Sequence, residues 1–211
     1  MKILFKKGKG LRTVSAKFLD ENTAQVTFPR NYSLKDAEMF VKKHQAWLDK
    51  ARKKFIAKIP ILTENKLFLQ NKYLDINLYK SSVNKGVRVF YDKIIVSTDS
   101  LIKVNQVLLK FLKNHTEKFL SSYSDVFDEY DISEIRVKFS KNRWGTCSSK
   151  RVLTFHPFLF CLPLHLREYI IYHEIAHLYE MNHSKRFKFK LGELIPDFKA
   201  REKELKKFIL S

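Results

Sequence analysis

The segment Leu164–Glu180 has the sequence LHLREYIIYHEIAHLYE, and its apolar residues recur on nearly every side of a helix. A helix with that pattern is buried in the protein interior. Pro163, directly before the segment, occupies a position at which helices commonly begin. The segment also contains histidines and glutamates, and buried polar groups need partners. The sequence therefore predicts a buried helix over about 164–180 that has to satisfy several polar side chains.

Two of these histidines belong to the pattern His173-Glu174-Ile175-Ala176-His177, which is H-E-x-x-H. Residues four positions apart lie on one face of a helix, so the two imidazoles can bind one Zn²⁺ at ~2.0–2.1 Å. The intervening carboxylate can then accept a proton from a zinc-activated water. The pattern predicts Zn²⁺ as cofactor, His173 and His177 as ligands, and Glu174 as the general base of a hydrolase.

A catalytic zinc takes three protein ligands and keeps one position for water. His183, six positions after His177, is the best candidate for the third ligand. On a continuous helix it would lie ~9 Å further along the axis, so we expect the chain to turn back just after about Glu180. Asn182 suits a left-handed helix end, and Ser184 suits the cap of a following helix. Three carboxylates remain rival third ligands: Glu180, Glu193 and Glu202.

The residues around this helix predict a small sheet. Ile135–Phe139 alternates like a half-buried strand, and Val152–Phe155 has the same character. Arg143–Lys150, between them, has the composition of a turn or loop, so the two strands are expected to form a hairpin. Arg143 lies in this polar loop and is our candidate for the donor that stabilises developing negative charge. Tyr172, Tyr179 and Asn182 are weaker candidates for that donor.

The preceding part of the chain predicts a β-rich, basic region with two long helices. Strands are expected at Thr13–Phe18, Thr23–Phe28, Leu67–Ile76 and Val87–Val96, with a turn at Asp20–Asn22 between the first two. Helices are expected over about 34–57, capped by Ser33, and over about 100–121. We therefore predict an α+β chain with an N-terminal region 1–131 and a catalytic core 132–211.

Composition limits the class of protein. With 211 residues, 45% hydrophobic residues and two cysteines, the chain fits a folded protein without a disulfide framework. No window reaches ~18 consecutive apolar residues, so no membrane span is expected, and we predict a cytoplasmic location. The net charge of +19 favours anionic partners. Because the lysines are scattered, any nucleic-acid contact is expected to be weak; the oligomeric state stays open.

Several motifs in combination resemble the YgjP-like metallopeptidase family of bacterial proteins, which is related to the SprT-like and WLM zincins. These motifs are Arg143–Ser149 (RWGTCSS), His173–Leu178 (HEIAHL), Asn182-His183-Ser184 with Phe187, and Pro196-Asp197-Phe198. The resemblance is strong over residues 132–211 and general before them. It implies a minimal zincin-like core, namely a small β-sheet, an active-site helix and supporting helices. It also implies that the three histidines bind zinc and that Glu174 is the catalytic acid/base.

Three functions follow as expectations. The first is a zinc-dependent metallopeptidase, for which the hairpin edge would hold an extended peptide substrate by strand addition. The second is a nucleoside triphosphate (UTP) pyrophosphatase on the same zinc site, because members of the family are described both ways. The third is a nucleic-acid-associated binding module in which zinc is structural. Cys147 or Cys161 would then close the metal site, since structural zinc sites normally have four protein ligands.

Overall fold

In the computed structural model, which describes residues 1–19, 22–56, 59–81, 83–100 and 103–210, the chain divides after Lys58. One unit is Met1–Lys58 and the other is Ile59–Ser211. This boundary differs from the division at 131/132 expected from the sequence, because buried residues from Ile61 to Phe208 share one apolar core. The predicted α+β class is confirmed.

A mixed sheet forms the first half of the Met1–Lys58 unit. Its strands are β1 (Lys2–Gly8), β2 (Ser15–Phe18) and β3 (Thr23–Pro29). The strand β3 lies in the centre, parallel to β1 and antiparallel to β2. The two predicted strands are confirmed in β2 and β3, where alternating residues such as Ala24, Val26 and Phe28 are buried. Asp20 and Glu21 of the predicted turn lie outside the described residues.

The prediction of a single helix over 34–57 is wrong, because the chain forms two helices, α1 (Leu34–Lys43) and α2 (Gln45–Ile56). Residue 57 lies outside the described residues. The break falls at His44, whose ring Nδ1 and backbone N–H both lie within hydrogen-bond distance of the Phe40 carbonyl. Val41 of α1 and Leu48 of α2 share one small core. The break is thus consistent with packing both helices against the same sheet.

In the Ile59–Ser211 unit, β4 (Ile59–Pro60) precedes a four-stranded sheet. Its strands are β5 (Lys66–Leu69), β6 (Lys72–Lys80), β7 (Gly86–Val89) and β8 (Lys93–Thr98), in the order β5-β6-β8-β7. The strands expected at Leu67–Ile76 and Val87–Val96 are each an antiparallel hairpin instead. In the first hairpin Gln70 and Asn71 turn the chain with positive φ angles of 49° and 80°.

Helix α3 (Val104–Ser121) confirms most of the helix predicted over 100–121, and α4 (Ser124–Glu129) follows it. Leu101 and Ile102 lie outside the described residues. The buried face of α3 carries Leu108, Leu112, Thr116 and Leu120 at four-residue spacing. The Thr116 hydroxyl donates to the Pro157 carbonyl at 2.7 Å, which joins α3 to the 3₁₀ helix that precedes the predicted buried helix.

The second sheet of this unit has three strands. Its strands are β9 (Glu134–Val137), β10 (Gly145–Cys147) and β11 (Val152–Phe155). The expected hairpin between Ile135–Phe139 and Val152–Phe155 is wrong, because β9 runs parallel to β11. The hairpin partner of β11 is β10, which lies inside the predicted loop. A tight turn explains this pairing, since Arg151 adopts a φ of 58° and Ser148 N–H donates to Val152. β10 is therefore an edge strand.

The remaining elements are α5 (Leu164–Ala176), α6 (Lys185–Leu194), α7 (Phe198–Leu205) and β12 (Phe208–Ile209), which pairs in parallel with β4. Helix α5 lies in the core, as its composition predicts, and it buries eight of its residues. Among the helices that the structure describes, none has the combined length and apolar character needed to cross a bilayer.

Candidate active site

Helix α5 carries the first two residues of the candidate site, His173 and Glu174. The helix ends at Ala176, four residues before the predicted end, and His177 is its C-terminal cap. The end is early because Leu178 and Tyr179 donate to carbonyls three residues back, which tightens the last turn. The His177 ring remains beside that of His173, with 5.1 Å between the ring centroids.

The turn after α5 brings His183 back towards the helix. Ser184 caps α6 as predicted, because its hydroxyl accepts from the Phe187 N–H at 3.3 Å. The left-handed conformation expected at Asn182 is wrong; the non-glycine residues with positive φ in the described chain lie elsewhere. The chain instead leaves the helix early and turns through short-range bonds, from Tyr179 N–H to the Ala176 carbonyl and from Ser184 N–H to the Asn182 carbonyl.

Three imidazoles therefore converge. One nitrogen from each of His173, His177 and His183 can be chosen so that all three lie within 4.8 Å of one another. The Nε2 atoms of His173 and His183 are 3.1 Å apart. The three ring centroids are separated by 5.1, 5.1 and 4.8 Å. The predicted third histidine thus joins the first two.

Hydrogen bonds orient two of these rings. His177 Nδ1 lies 3.1 Å from the Glu180 carbonyl oxygen, so Nδ1 is the atom that carries hydrogen. Tyr169 Oη lies 3.3 Å from His173 Nδ1. Burial, followed by the nearby His177 and His183, lowers the pKa of His173 to about 4, and burial also lowers the pKa of His177. Both rings are neutral at pH 7, which is the form that binds a metal ion.

Phe187, the first buried residue of α6, packs against all three imidazoles. Its ring centroid lies 5.0 Å from that of His173, 4.5 Å from His177 and 4.8 Å from His183. The Phe187 side chain is 2% exposed. This buried ring therefore holds the three imidazoles against one side of α6.

Glu174 lies next to the edge strand β10. Its carboxylate is so close to Gly145 that a Cβ atom added there would stand 2.6 Å from Glu174 Oε1. Gly145 does not have a positive φ angle, so the glycine is needed for space rather than for backbone conformation. Burial raises the pKa of Glu174 to about 8, although Arg143 acts in the opposite direction. The carboxylate is therefore nearly buried, with 5% of the residue exposed, and lies between β10 and the histidines of the cleft.

A cleft of about 560 Å³ exposes these groups to solvent. Its lining includes the three histidines, Glu174 and Arg143, so the structure brings every predicted site residue to one place. The weaker donor candidates Tyr172, Tyr179 and Asn182 are absent from the described lining. Arg143 is thus the sequence-predicted donor that faces the cleft.

The rival ligands lie outside the histidine group. Among the described residues, the group that could hold a metal ion consists of the three histidines. It does not include Glu180, Glu193, Glu202 or either cysteine. Cys147 lines the cleft, where burial and then Glu174 raise the pKa of its thiol to about 11. Cys161 is fully buried, and both cysteines are free thiols.

Two residues of the site were missed by sequence reasoning. Tyr169 was counted only as an apolar residue of the helix, although it lies four positions before His173 on the same face. That spacing was the signal for a partner of His173. Gly145 was counted as part of a loop, and no local pattern indicates that its missing side chain makes room for Glu174.

The mixed α+β fold and a three-histidine group beside a buried carboxylate define a candidate metal-binding enzyme. The family model described as YgjP-like, metallopeptidase domain, matches residues 12–208, so the chain belongs to the YgjP-like family. The match extends well before residue 132, from which the resemblance in the sequence is strong. A metallopeptidase family implies a hydrolase and a metal ion. Comparison with curated proteins gives no significant match.

Proposed function

We propose that this protein is a zinc-dependent metallopeptidase with a zincin-like core. In this proposal His173, His177 and His183 hold Zn²⁺, and Glu174 is the general base. The observation that carries the proposal is the convergence of three imidazoles beside a buried carboxylate in one open cleft.

The donor set fits Zn²⁺. Neutral imidazoles are common zinc ligands, and two nitrogens on one tetrahedral zinc at ~2.0–2.1 Å lie about 3.3 Å apart. The 3.1 Å between the Nε2 atoms of His173 and His183 agrees with that value. Three protein ligands are also the number found in catalytic zinc sites. When bound, Zn²⁺ would supply Lewis-acid activation of a water molecule and of the substrate carbonyl.

The chain's own residues would handle the proton and the charge. Burial alone raises the pKa of Glu174 to about 8, and the positive charge of a bound Zn²⁺ would lower that pKa and favour the ionised form. The ionised carboxylate accepts a proton from the attacking water and returns it to the leaving amine. Gly145 permits this carboxylate to lie against the backbone of β10. Arg143, at the cleft, stabilises negative charge that develops on the substrate oxygen.

The edge strand β10 supports a peptide as the substrate. One edge of β10 pairs with β11, and the other has no strand partner in the described sheet. β10 also lines the cleft beside Glu174. An extended peptide could add to that edge through backbone hydrogen bonds, which would align a peptide bond with the histidines.

A second candidate is hydrolysis of a nucleoside triphosphate such as UTP. Arg143 favours it, because a cleft-facing guanidinium suits a phosphate. A structural zinc site normally has a fourth protein ligand, and among the described residues that could hold a metal together the three histidines are joined by no cysteine, which argues against the binding module. The cytoplasmic location expected from composition remains part of the proposal.

The decisive variant is Glu174→Gln, which keeps the shape of the side chain and removes the base. We expect it to retain zinc and to lose about 10²–10⁴-fold in kcat for casein-derived peptides. Zinc content is measured by atomic absorption and cleavage by mass spectrometry. Glu193→Gln is the matched control, because Glu193 is an exposed residue paired with Lys190.

UTP is supplied to the same proteins in a parallel assay. Zinc-dependent release of pyrophosphate by the wild type, without peptide cleavage, would replace the first candidate by the second. Full activity of Glu174→Gln on either substrate would remove Glu174 as the base. A zinc-loaded wild type that hydrolyses neither substrate would favour a binding module.

A further inference from the structure

A second cavity lies beside the three histidines and has no part in the chemistry described above. Its volume is about 460 Å³, which is within the range of pockets that bind small organic groups. Trp144, Tyr169, His173, His183 and Leu205 line both this cavity and the catalytic cleft. Because the cavity and the cleft share these walls, a group bound in the cavity would lie next to the reacting bond.

The inner wall of this cavity is apolar. It is formed by Phe187 and Leu191 of α6, Phe198 of α7 and Phe208 of β12. These side chains are between 1% and 8% exposed, so they belong to the core and are held rigidly. Rigid aromatic and aliphatic walls favour an apolar ligand, because each Å² of apolar surface removed from water contributes favourably to binding.

The charged groups of the cavity largely compensate one another. Glu202 and Lys206 form an ion pair with 2.5 Å between Oε1 and Nζ. Lys188 is exposed and has no ion-pair partner among the described residues. A triphosphate bound here would lose its hydrating water and would lie against apolar walls and the Glu202 carboxylate. Among the described charged residues of the cavity, Lys188 would be its one unpaired cation. Such desolvation is unfavourable for an anion.

We propose that this cavity is the specificity pocket, and that it binds a bulky apolar side chain, Phe or Leu, of a peptide residue adjoining the bond to be cleaved. The inference rests on the proposed peptidase function and names its substrate class. Apolar pockets discriminate between side chains by their size, and we expect about 10- to 100-fold higher kcat/KM for Phe or Leu than for Ala.

Cleavage of matched peptides tests the pocket. The peptides are identical except for Phe, Leu, Ala or Asp on either side of one bond, and mass spectrometry locates the cut. Leu205→Arg places a long charged side chain where the cavity meets the cleft, and Leu205→Gln is a milder variant if the first unfolds. Leu194→Arg, at a half-buried position of α6 outside the cavity, is the matched control.

The wild type and Leu194→Arg should prefer Phe or Leu at one fixed position. In a folded Leu205 variant the preference over Ala should fall below about 3-fold while the Ala peptide is still cleaved. Equal cleavage of all four peptides by the wild type, or an unchanged preference in the Leu205 variants, would overturn the proposal.

A binding measurement tests the pocket independently of catalysis. Trp47 and Trp144 are the two tryptophans of the chain, so Trp47→Phe leaves the cavity-lining Trp144 as the fluorescent reporter. In zinc-loaded Trp47→Phe/Glu174→Gln protein we expect saturable fluorescence changes with N-acetyl-phenylalaninamide, at least about 10-fold tighter than with N-acetyl-alaninamide. Binding of the first probe by this variant, together with no peptide cleavage by the zinc-loaded wild type, would support the pocket and remove the peptidase. Binding of UTP but of neither amide would overturn the pocket.

Discussion

The two units of this protein differ in whether they bury polar side chains. In the Ile59–Ser211 unit, the polar residues Glu174, Arg167 and His156 are each 6% exposed or less. Among the described residues of Met1–Lys58, the buried side chains are apolar. Burial of a charged or polar group is unfavourable unless it has partners, so a fold that relies only on stability avoids it. Of these three buried polar side chains, Glu174 lines the catalytic cleft, so the comparison shows that the second unit buries a polar group at the candidate active site.

The difference extends to how each unit fixes its helices. In the first unit, Ser33 and Asp36 satisfy each other's backbone N–H groups at the start of α1, on the surface. In the second unit, the equivalent local bonds orient functional rings, as when the Glu180 carbonyl accepts from His177 Nδ1. Variants of residues that contact the site in the second unit should therefore change function more than stability, and variants of helix caps in the first unit should do the reverse.

Among variants of residues that support Glu174 and the histidines, the largest effect is expected for Gly145→Ala. The new methyl group would stand 2.6 Å from Glu174 Oε1, so the carboxylate must move. We predict that kcat for peptide cleavage falls by about 10²-fold, because a small misplacement of a catalytic group can have that effect. Zinc content should stay at the wild-type level.

Gly192→Ala is the matched control for this variant. A Cβ atom at Gly192 would meet Phe198 at 3.5 Å, which is ordinary contact, and alanine is favoured over glycine in a helix by about 1 kcal/mol. Activity should be unchanged and stability slightly higher. If Gly145→Ala were as active as Gly192→Ala, the close approach of Glu174 to β10 would have no catalytic meaning.

A smaller effect is expected for Tyr169→Phe. The variant removes the hydroxyl that lies 3.3 Å from His173 Nδ1 and keeps the buried ring. Groups that orient metal-binding histidines commonly change metal affinity by 10–100-fold, and we predict about 10-fold weaker zinc binding here. Competition with a chromophoric chelator measures the affinity. Tyr172→Phe, on the same helix but outside the cleft lining, should bind zinc like the wild type; equal losses in both variants would refute a specific effect of Tyr169.

The smallest effect is expected for Ser33→Ala in the first unit. Loss of the hydroxyl that accepts from Asp36 N–H at 3.1 Å should lower stability by about 1 kcal/mol. Denaturant unfolding measures the change, and peptide cleavage by the folded variant should equal that of the wild type. A loss of activity in Ser33→Ala under conditions where it is fully folded would break the contrast between the two units.

Local patterns in the sequence predicted the features that depend on neighbours in the chain. The buried character of α5 follows from its apolar residues, and the start of α6 follows from Ser184. The spacing of His183 from His177 predicted that His183 joins the first two histidines, although the conformation predicted for Asn182 in the turn was wrong. Each of these features is determined within about ten residues, which is the range over which helix and cap signals act.

Features that depend on distant pairing could not be predicted in this way. The strand β9 pairs with the edge of β11 that β10 leaves free, and it runs parallel to β11; no local pattern encodes that pairing or its direction. The contact between Gly145 and Glu174 joins residues 29 positions apart, so it exists only once the sheet packs against α5. The helix breaks at His44 and His177 likewise arise from tertiary packing and side-chain bonds rather than from periodicity.

Metal content of wild-type protein and of His183→Ala tests the central claim most directly. His44→Ala is the control, because His44 is exposed and belongs to the other unit. The account predicts one zinc per chain in the wild type and in His44→Ala, with three imidazole nitrogens in the X-ray absorption spectrum, and a loss of bound zinc in His183→Ala. Zinc held by His183→Ala at wild-type stoichiometry and affinity would contradict it.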